Sequence, residues 1–410
     1  MRLEDIDLAS PETFVDGVPH ETFAFLRREA PVYFHREQGG GPGFWALTRH
    51  DDVTYVSKHP ELFSSEIGGT NIFDVPEADL AITRTLMLNM DPPQHVKFRR
   101  IVRTGFTPNR VKHLLPRVRQ RAAALVDTMI EKGECDFVRD VAAELPLQVI
   151  AELLGIPDDE RGRIFDLSNK LIGFDDPEFQ NTMEDGKQAA AEMWLYAHKL
   201  ATERKAGTGD DLVSVLMRAE VDGHKLSELE FNNFFLLLAV AGNETTRNLL
   251  SGAVHALIEN PDQWRRLQRD RSLLDTAVEE FLRWVTPVMH FRRTATKDVE
   301  IRGQQIKAGQ KVVMFYHGAN RDEWVFDQPQ RFDVGRVDNP HLALGIGEHY
   351  CMGANLARME IRLLFEELLK RVPELELAGP VRRLRSAFIH GIKTMPVRAL
   401  SDEWEMSALK

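Results

Sequence analysis

The chain of 410 residues carries 52 basic and 63 acidic side chains, giving a formal net charge of −11, and 43% of its residues are hydrophobic. This composition excludes a disordered chain, and the negative charge argues against a nucleic-acid-binding protein. Two cysteines exclude a disulfide scaffold and favour a reducing cytoplasm, where we expect the protein to reside. No apolar run approaches the ~20 residues that span a bilayer, and the first residues lack a secretory-signal core.

The predicted elements begin with a β-hairpin. Two short runs rich in β-forming residues, 32–36 and 44–48, flank a turn at Gly39–Gly43. From residue 51 to about 283, apolar residues recur at helical spacing, most clearly over 122–130, 147–154 and 189–204. Strand patterns return over 299–302, 305–307 and 311–316, and we predict a second hairpin over 387–397.

These patterns predict a mainly α protein with a minor β region. No linker or internal repeat interrupts the chain, so we expect one domain over 1–410. Its β-rich portions are predicted at about 30–60, 298–320 and 384–400, and its helical lobe at about 90–285 and 351–372.

One predicted helix is unusually long. Ser227 and Glu230 form a capping box, and Asn260-Pro261 marks the end about 30 residues later. The helix is apolar nearly all round at its start, which indicates an interior position. Its middle, Ala241-Gly-Asn-Glu-Thr245, has low helix propensity although it lies where the helix should pack most tightly. Such a conflict between sequence and position is typical of a functional site, and the alternative is a packed helix with a kink.

The second cysteine lies in a glycine-rich segment with glycines at 345, 347 and 353. A helix pattern follows over 356–370, so Cys351 is predicted at a helix entrance, where the dipole would lower its pKa and stabilise a thiolate. A plain buried cysteine, a catalytic thiol with His349 as base, and a zinc site with His341 and His349 are alternatives. A dinucleotide-binding loop is excluded because the segment contains no G-x-G-x-x-G sequence. A single axial thiolate ligand to haem iron explains the cysteine, the glycines and the helix together.

This segment resembles the cysteine-ligand loop of the cytochrome P450 family, the haem-thiolate monooxygenases. Gly347, Cys351 and Gly353 match the last three fixed positions of the family pattern F-x-x-G-x-x-x-C-x-G, whereas Leu344 replaces the usual aromatic residue. The resemblance implies the cytochrome P450 fold, triangular, with a helix-rich lobe and a small β-rich lobe. It also implies haem b, with Cys351 as the axial ligand of the iron.

Further motifs occur in the family's order. The segment 241–245 resembles the oxygen-activation helix, which places Ala241 beside the haem and implies that Thr245 hydrogen-bonds the oxygen being activated while Glu244 relays protons. Glu280-Phe-Leu-Arg283 is similar to the family's E-x-x-R pair, and Arg331 falls where the third member of that ion cluster is expected.

The resemblance also implies which residues hold the haem propionates. Asp91-Pro-Pro-Gln-His95-Val-Lys-Phe-Arg99-Arg100 is similar to the family's D-P-P-x-H-x-x-x-R-R, and propionates need cationic or donor partners. The expected set is His95, Arg99, Arg293 and His349.

The implied reaction inserts one oxygen atom from O2 into a C–H bond of a hydrophobic small molecule. By resemblance the pocket is lined by Leu237, Val240, Ala241, Val288, Met289, Phe388 and Ile389, with the segment 67–80 as its mobile wall. The segments around Pro287 and Cys351 resemble bacterial members acting on steroids, branched lipids and terpenoids.

Electrons must come from another protein, because the chain has no flavin or nicotinamide fingerprint and no cysteine cluster. We expect a ferredoxin and its NAD(P)H-dependent reductase, docking on the basic run Lys97, Arg100, Arg103, Arg110 and Lys112. No nucleic acid or membrane span is expected, and the protein is expected to be a monomer. The alternatives are a peroxide-driven haem-thiolate enzyme and a haem-binding protein without catalysis; the Glu244-Thr245 pair favours oxygen activation.

Overall fold

The computed structural model describes residues 1–38, 40–179, 182–204 and 209–400. Helices dominate this part of the chain, as predicted. Their bounds are α1 His20–Glu29, α2 His50–Lys58, α3 Glu77–Thr83, α4 Gln94–Arg103, α5 Pro108–Lys132, α6 Glu144–Leu154, α7 Arg161–Ile172, α8 Met183–Arg204, α9 Leu212–Arg218, α10 Glu228–Glu259, α11 Pro261–Arg269, α12 Leu274–Val285, α13 Tyr316–Ala319 and α14 Ala354–Arg371.

The strands are short and form small sheets. They are β1 Val32–His35, β2 Phe44–Leu47, β3 Phe63–Ser64, β4 Glu134–Asp136, β5 His290–Ala295, β6 Val299–Ile301, β7 Gln304–Ile306, β8 Lys311–Phe315, β9 Glu374–Leu377, β10 Arg382–Arg383, β11 Ile392–Thr394 and β12 Pro396–Leu400.

The largest sheet has the strand order β1-β2-β8-β5-β3. The predicted first hairpin is present, with Val32 opposite Leu47 and His35 opposite Phe44; Gly39 of its predicted turn lies outside the described residues. Strands β2 and β8 run parallel, while β8 and β5 run antiparallel. Sequence patterning did not identify β5, because two consecutive arginines interrupt its alternation.

The long helix α10 is confirmed over 32 residues. Ser227 accepts from the backbone N–H of Glu230, whose carboxylate accepts from the Ser227 N–H at 2.8 Å, so both halves of the capping box form. Helix α10 contacts α6, α7, α8 and α12. It therefore runs through the protein with neighbours along its length. A helix packed in this way holds its side chains in fixed positions.

The predicted hairpin over 387–397 is wrong. Strand β11 pairs with β10, with Arg382 opposite Thr394, and β12 pairs with β4 and β9. Backbone N–H groups before β11 are satisfied by side chains instead of a strand: Ala387 donates to Asp175 Oδ2 at 3.2 Å, and Ile389 donates to Ser386 Oγ at 3.1 Å. The Ser386 hydroxyl is a local acceptor of the kind that competes with sheet formation, and Asp175 adds a distant one.

No helix in the described ranges has both the length and the apolar character needed to cross a membrane.

Candidate functional site: a cavity between the long helix and the cysteine loop

A cavity lies between α10, the segment that joins α12 to β5, and the loop before α14. Its walls include Leu237, Ala241 and Thr245 from α10, Val288 and Arg293 after α12, and the cysteine loop residues His349, Cys351 and Gly353, with His95 and Arg99 from α4. Segments far apart in sequence thus place these predicted residues around one space.

The cysteine loop is shaped by glycine. Gly347 adopts a φ of +78°, and a Cβ atom there would lie 2.6 Å from the carbonyl oxygen of Ser57. Any other residue would clash with the backbone of the last turn of α2. The Cys351 N–H donates to the carbonyl of Leu344 at 2.9 Å, and its carbonyl accepts from the Ala354 N–H at 3.4 Å, so the loop leads directly into α14.

The expectation that the helix entrance lowers the pKa of Cys351 is wrong. Burial raises this pKa, and the opposing influence of the Gly353 backbone N–H, Arg99 and Arg358 does not overcome it. A thiol in such a pocket is deprotonated most readily by coordination to a metal ion, whose charge exceeds that of the helix end.

Buried donor groups line the cavity beside the cysteine loop, and their chemistry suits the two propionates of haem. His95 is fully buried, and neither of its ring nitrogens has a hydrogen-bond partner among the described residues. The His95 and His349 rings lie 4.1 Å apart, and burial together with Arg99 and Arg293 lowers the pKa of His95 to about 4. Burial also lowers the pKa of His349, so both imidazoles are neutral at pH 7. His349 differs from His95 in having a partner, because its Nε2 lies 3.2 Å from Ser65 Oγ.

Two arginines complete this donor set. Arg293 is 5% exposed, and its Nη1 donates to the carbonyl of Arg292 at 2.8 Å; burial lowers its pKa. Arg99 Nη2 donates to the carbonyl of Tyr350 at 2.6 Å, which ties α4 to the cysteine loop. Neither arginine has a carboxylate within 4 Å in the described part of the chain. The donors fit an anionic group at the edge of an otherwise apolar cavity.

The structure separates the two predicted catalytic residues. Thr245 lines the cavity, and its Oγ1 donates to the carbonyl of Ala241 at 2.6 Å. Glu244 is fully buried and is not among the lining residues; its Oε2 accepts from Arg247, whose Nη1 donates to Asn169 at 2.7 Å. Burial raises the pKa of Glu244, although Arg247 opposes the effect.

Glycine in the middle of α10 has a packing role. A Cβ at Gly242 would lie 2.7 Å from Cδ1 of Ile150 on α6. The glycine therefore permits close contact between α10 and α6, while Ala241 presents its small side chain to the cavity.

The predicted ion cluster needs one correction. Arg283 donates from Nε and Nη2 to the two carboxylate oxygens of Glu280 at 2.7 Å, and both side chains are fully buried. The side chain of Arg331 is not the third member, because this residue is exposed and contributes its carbonyl to Arg283 at 3.2 Å. Arg336, which sequence reasoning missed, donates from Nε to Glu280 at 3.1 Å.

Four predicted pocket residues do not line the cavity: Val240, Met289, Phe388 and Ile389. Met289 packs in a core cluster with Val313 and Phe315. Ile389 forms an isolated β-bridge with Val288, which does line the cavity, and Phe388 packs behind the lining residue Phe291 with ring centroids 5.8 Å apart. Alternate residues of an extended segment point to opposite sides, which explains why Val288 and Met289 differ.

Several lining residues were missed. They include Met87, Leu88, Phe106, Phe234, Leu238, Thr246, Leu249, Phe291 and Tyr316. Those on α10 continue the spacing of Leu237, Ala241 and Thr245, so helical periodicity could have found them. The predicted wall segment 67–80 contributes no lining residue, because the chain reaches the cavity at Met87 and Leu88, beyond α3.

The comparisons with known proteins agree with this arrangement. The cytochrome P450 family model matches residues 134–372. A steroid C26-monooxygenase of Rhodococcus jostii is 41% identical over 403 residues, covering 96% of this chain and 84% of that protein. A methyl-branched lipid omega-hydroxylase of Mycobacterium tuberculosis is 45% identical over 407 residues, covering 96% and 95%. A Mycobacterium marinum cytochrome P450 in complex with pseudoionone superposes with a TM-score of 0.90 at 39% identity, covering 96% and 98%.

The chain belongs to the cytochrome P450 family and has its fold, so both expectations are confirmed. It is an oxidoreductase that incorporates oxygen from O2, with a haem-thiolate cofactor, and it relies on redox partners and a lipophilic substrate. When bound, the haem supplies the oxidising chemistry that protein side chains lack.

Proposed function

We propose that this protein hydroxylates the terminal methyl group of a methyl-branched aliphatic chain, on a steroid or a branched lipid. The observation that carries the proposal is the apolar lining of the cavity, which Phe234, Leu237 and Leu238 of α10 share with Val288. Thr245 and Cys351 line the same cavity. Both relatives described above are named for steroid or methyl-branched lipid oxidation. A branched chain end has no polar group to fix it, so shape and apolar contact must orient it.

Within this cavity we assign separate tasks to the chain's residues. Cys351 holds the iron, and His95, Arg99, Arg293 and His349 hold the propionates, a role supported by the ring nitrogens of His95, unpartnered in the described chain, and the buried guanidinium of Arg293. Thr245 presents a hydroxyl to the reacting space, and its neighbour Ala241 leaves room beside the haem. Glu244 supplies protons only after its pairing with Arg247 loosens, since its carboxylate lies outside the cavity.

The cofactor is proposed to be haem b, held without covalent attachment. The chain has no C-x-x-C-H sequence through which a porphyrin could be attached, and its cysteines are free. A pyridine haemochrome spectrum identifies the porphyrin type directly. The free cysteines also support the cytoplasm as the proposed location.

The substrate proposal is tested by spin-state titration and product analysis. Cholesterol and phytanic acid end in methyl-branched chains, whereas testosterone has a steroid nucleus without the side chain and serves as the matched control. We expect a high-spin shift and a terminally hydroxylated product with at least one branched probe and none with testosterone. Binding of testosterone alone would contradict the proposal.

A ferredoxin is proposed as the immediate electron donor. Lys97, Arg100 and Arg103 on α4 and Lys112 on α5 are exposed, and α4 is tied to the cysteine loop through Arg99. Arg110 contributes less, because its Nη1 donates to the carbonyl of Asp210 at 2.6 Å. The exposed ion pair between Arg100 and Asp222, at 3.5 Å, contributes little stabilising energy, so Arg100 remains available to contact a partner protein.

The docking proposal predicts salt-sensitive electron transfer. Lys97→Glu and Arg103→Glu should slow reduction by ferredoxin several-fold, and added salt should slow the wild type. Lys307→Glu is the control, because Lys307 lies in the turn between β7 and β8, away from α4 and α5 in sequence, and pairs with Asp298. Equal rates in all variants would refute the basic docking surface.

A further inference from the structure

A second cavity, of about 270 Å³, lies beside the C-terminal half of α10. Its walls come from α10, the end of α12, the segment before α1, Arg321, and the residues from Arg383 to Ile392. It shares no described lining residue with the cavity at Cys351. Unlike that cavity, its walls carry mostly polar and charged side chains.

The floor of this cavity holds a buried arginine without a counter-charge. Arg321 is 2% exposed, and its Nε and Nη1 have no hydrogen-bond partner among the described residues. Its Nη2 donates to the carbonyl of Trp284 at 3.3 Å, and its guanidinium lies 4.5 Å from the centre of the Trp284 ring. No carboxylate of the described chain lies within 4 Å of it. A buried guanidinium in this position is costly unless an anion compensates it.

Further donors face the same space. Asn248 of α10 is 1% exposed, and neither atom of its amide has a partner in the described ranges. Arg383 lies half-buried with its Nη1 3.4 Å from Nε2 of His390, and the Nδ1–H of His390 donates to the carbonyl of Val285 at 2.7 Å. His390 is thus a neutral imidazole whose Nε2 accepts a hydrogen bond from Arg383.

The acids of the cavity lie at its entrance. Asp16 and Glu259 are exposed, and Glu259 pairs with His255 of the same helix at 3.3 Å. Neither forms an ion pair with Arg321 in the described structure, although both favour the charged form of Arg383. The interior therefore combines an uncompensated positive charge with amide and guanidinium donors.

We propose that this cavity binds a small oxyanion, a carboxylate or phosphate group, between Arg321, Asn248 and Arg383. Guanidinium groups match such planar or tetrahedral oxyanions through paired N–H donors. The site is independent of the haem, since no residue is shared. Its ligand would contact α10 at Asn248, about one helical turn beyond Thr245.

Thermal unfolding of the full-length holoprotein tests the proposal. The protein is titrated with sodium acetate, sodium phosphate or sodium chloride. An inert background salt keeps the ionic strength equal and constant in all three titrations. A ligand of the folded state raises Tm with a saturating concentration dependence. We expect this from acetate, from phosphate, or from both, and the responding anion identifies the carboxylate or phosphate class.

Three substitutions locate the site. We expect at least a tenfold loss of affinity for the stabilising anion in each of the variants Arg321→Gln, Asn248→Ala and Arg383→Gln. Arg382→Gln is the matched control, since Arg382 is exposed, pairs with Glu178 and does not line the cavity. If Arg321→Gln does not fold, the other two variants carry the test. A Tm that follows ionic strength alone, or equal anion affinity in wild type, Asn248→Ala and Arg383→Gln, overturns the proposal.

Discussion

Glu280 Oε2 accepts hydrogen bonds from both Arg283 Nε, at 2.7 Å, and Arg336 Nε, at 3.1 Å. Arg336 also donates to the carbonyl groups of Asp327, Gln328 and Arg331. One carboxylate on α12 thus anchors the irregular segment that leads toward the cysteine loop. The cluster is a positioning element: it touches neither Cys351 nor the cavity in the described structure.

Arg336→Gln should destabilise the protein by about 3 kcal/mol, because it removes one of the two guanidinium groups that pair with the buried carboxylate of Glu280. Arg331→Gln should change the free energy of unfolding by less than about 0.5 kcal/mol, as exposed side chains generally do. Urea unfolding followed by circular dichroism measures both. An equal loss in the two variants would contradict the assignment of Arg336 as the third member.

Cys351→Ala should abolish the red-shifted Soret band that reduced, carbon monoxide-treated haem-thiolate proteins show. Cys135→Ala is the control: Cys135 lies in β4, and burial raises its pKa to about 11, so it stays a thiol. Its removal should leave the spectrum unchanged and cost a modest amount of stability. A retained band in Cys351→Ala would exclude this residue as the ligand.

The sequence predicted the helix-rich fold and the long helix because both depend on local patterns: apolar spacing, the Ser227–Glu230 box and the Asn260-Pro261 stop. It predicted the cavity at Cys351 only through family resemblance, because α4, α10, β5 and the cysteine loop meet through tertiary contacts. The sequence did not identify Arg336 as the third member of the ion cluster, because nothing local distinguishes it from Arg331, five residues earlier. Which of them reaches Glu280 depends on the turns between.

Val288 and Met289 offer a test of side-chain placement within one extended segment. Val288→Phe should alter substrate-induced spin shift strongly while changing stability little, because Val288 faces the cavity. Met289→Ala should instead cost about 2–5 kcal/mol, the usual cost of truncating a buried side chain, because Met289 is 1% exposed. Equilibrium unfolding and substrate titration together distinguish the two; the reverse pattern would mean that the cavity wall is misassigned.

Stability at acid pH should depend on Glu279. Burial opposes its ionisation, but Arg358, at 2.6 Å, and His341, at 3.0 Å, lower its pKa to about 2. Because the folded pKa lies below the unfolded value, the ionised carboxylate stabilises the fold above about pH 4.5, and this contribution is lost as the pH falls toward 2. The stability difference between wild type and Glu279→Gln should therefore be full at neutral pH and shrink over that range. Glu77→Gln, at an exposed position of α3, should show no such trend.

Thr245→Ala should retain haem and substrate but lose several-fold in product formed per NAD(P)H consumed, with the missing electrons recovered as hydrogen peroxide. The physical reason is that the Thr245 hydroxyl lines the cavity and can pass a proton. Its hydrogen bond to the Ala241 carbonyl holds it in place. Thr245→Ser keeps that hydroxyl and should recover most of the coupling. Product and peroxide assays on the same turnover mixture measure the division of electrons. Full coupling in Thr245→Ala would show that Glu244, or another group, delivers protons without it.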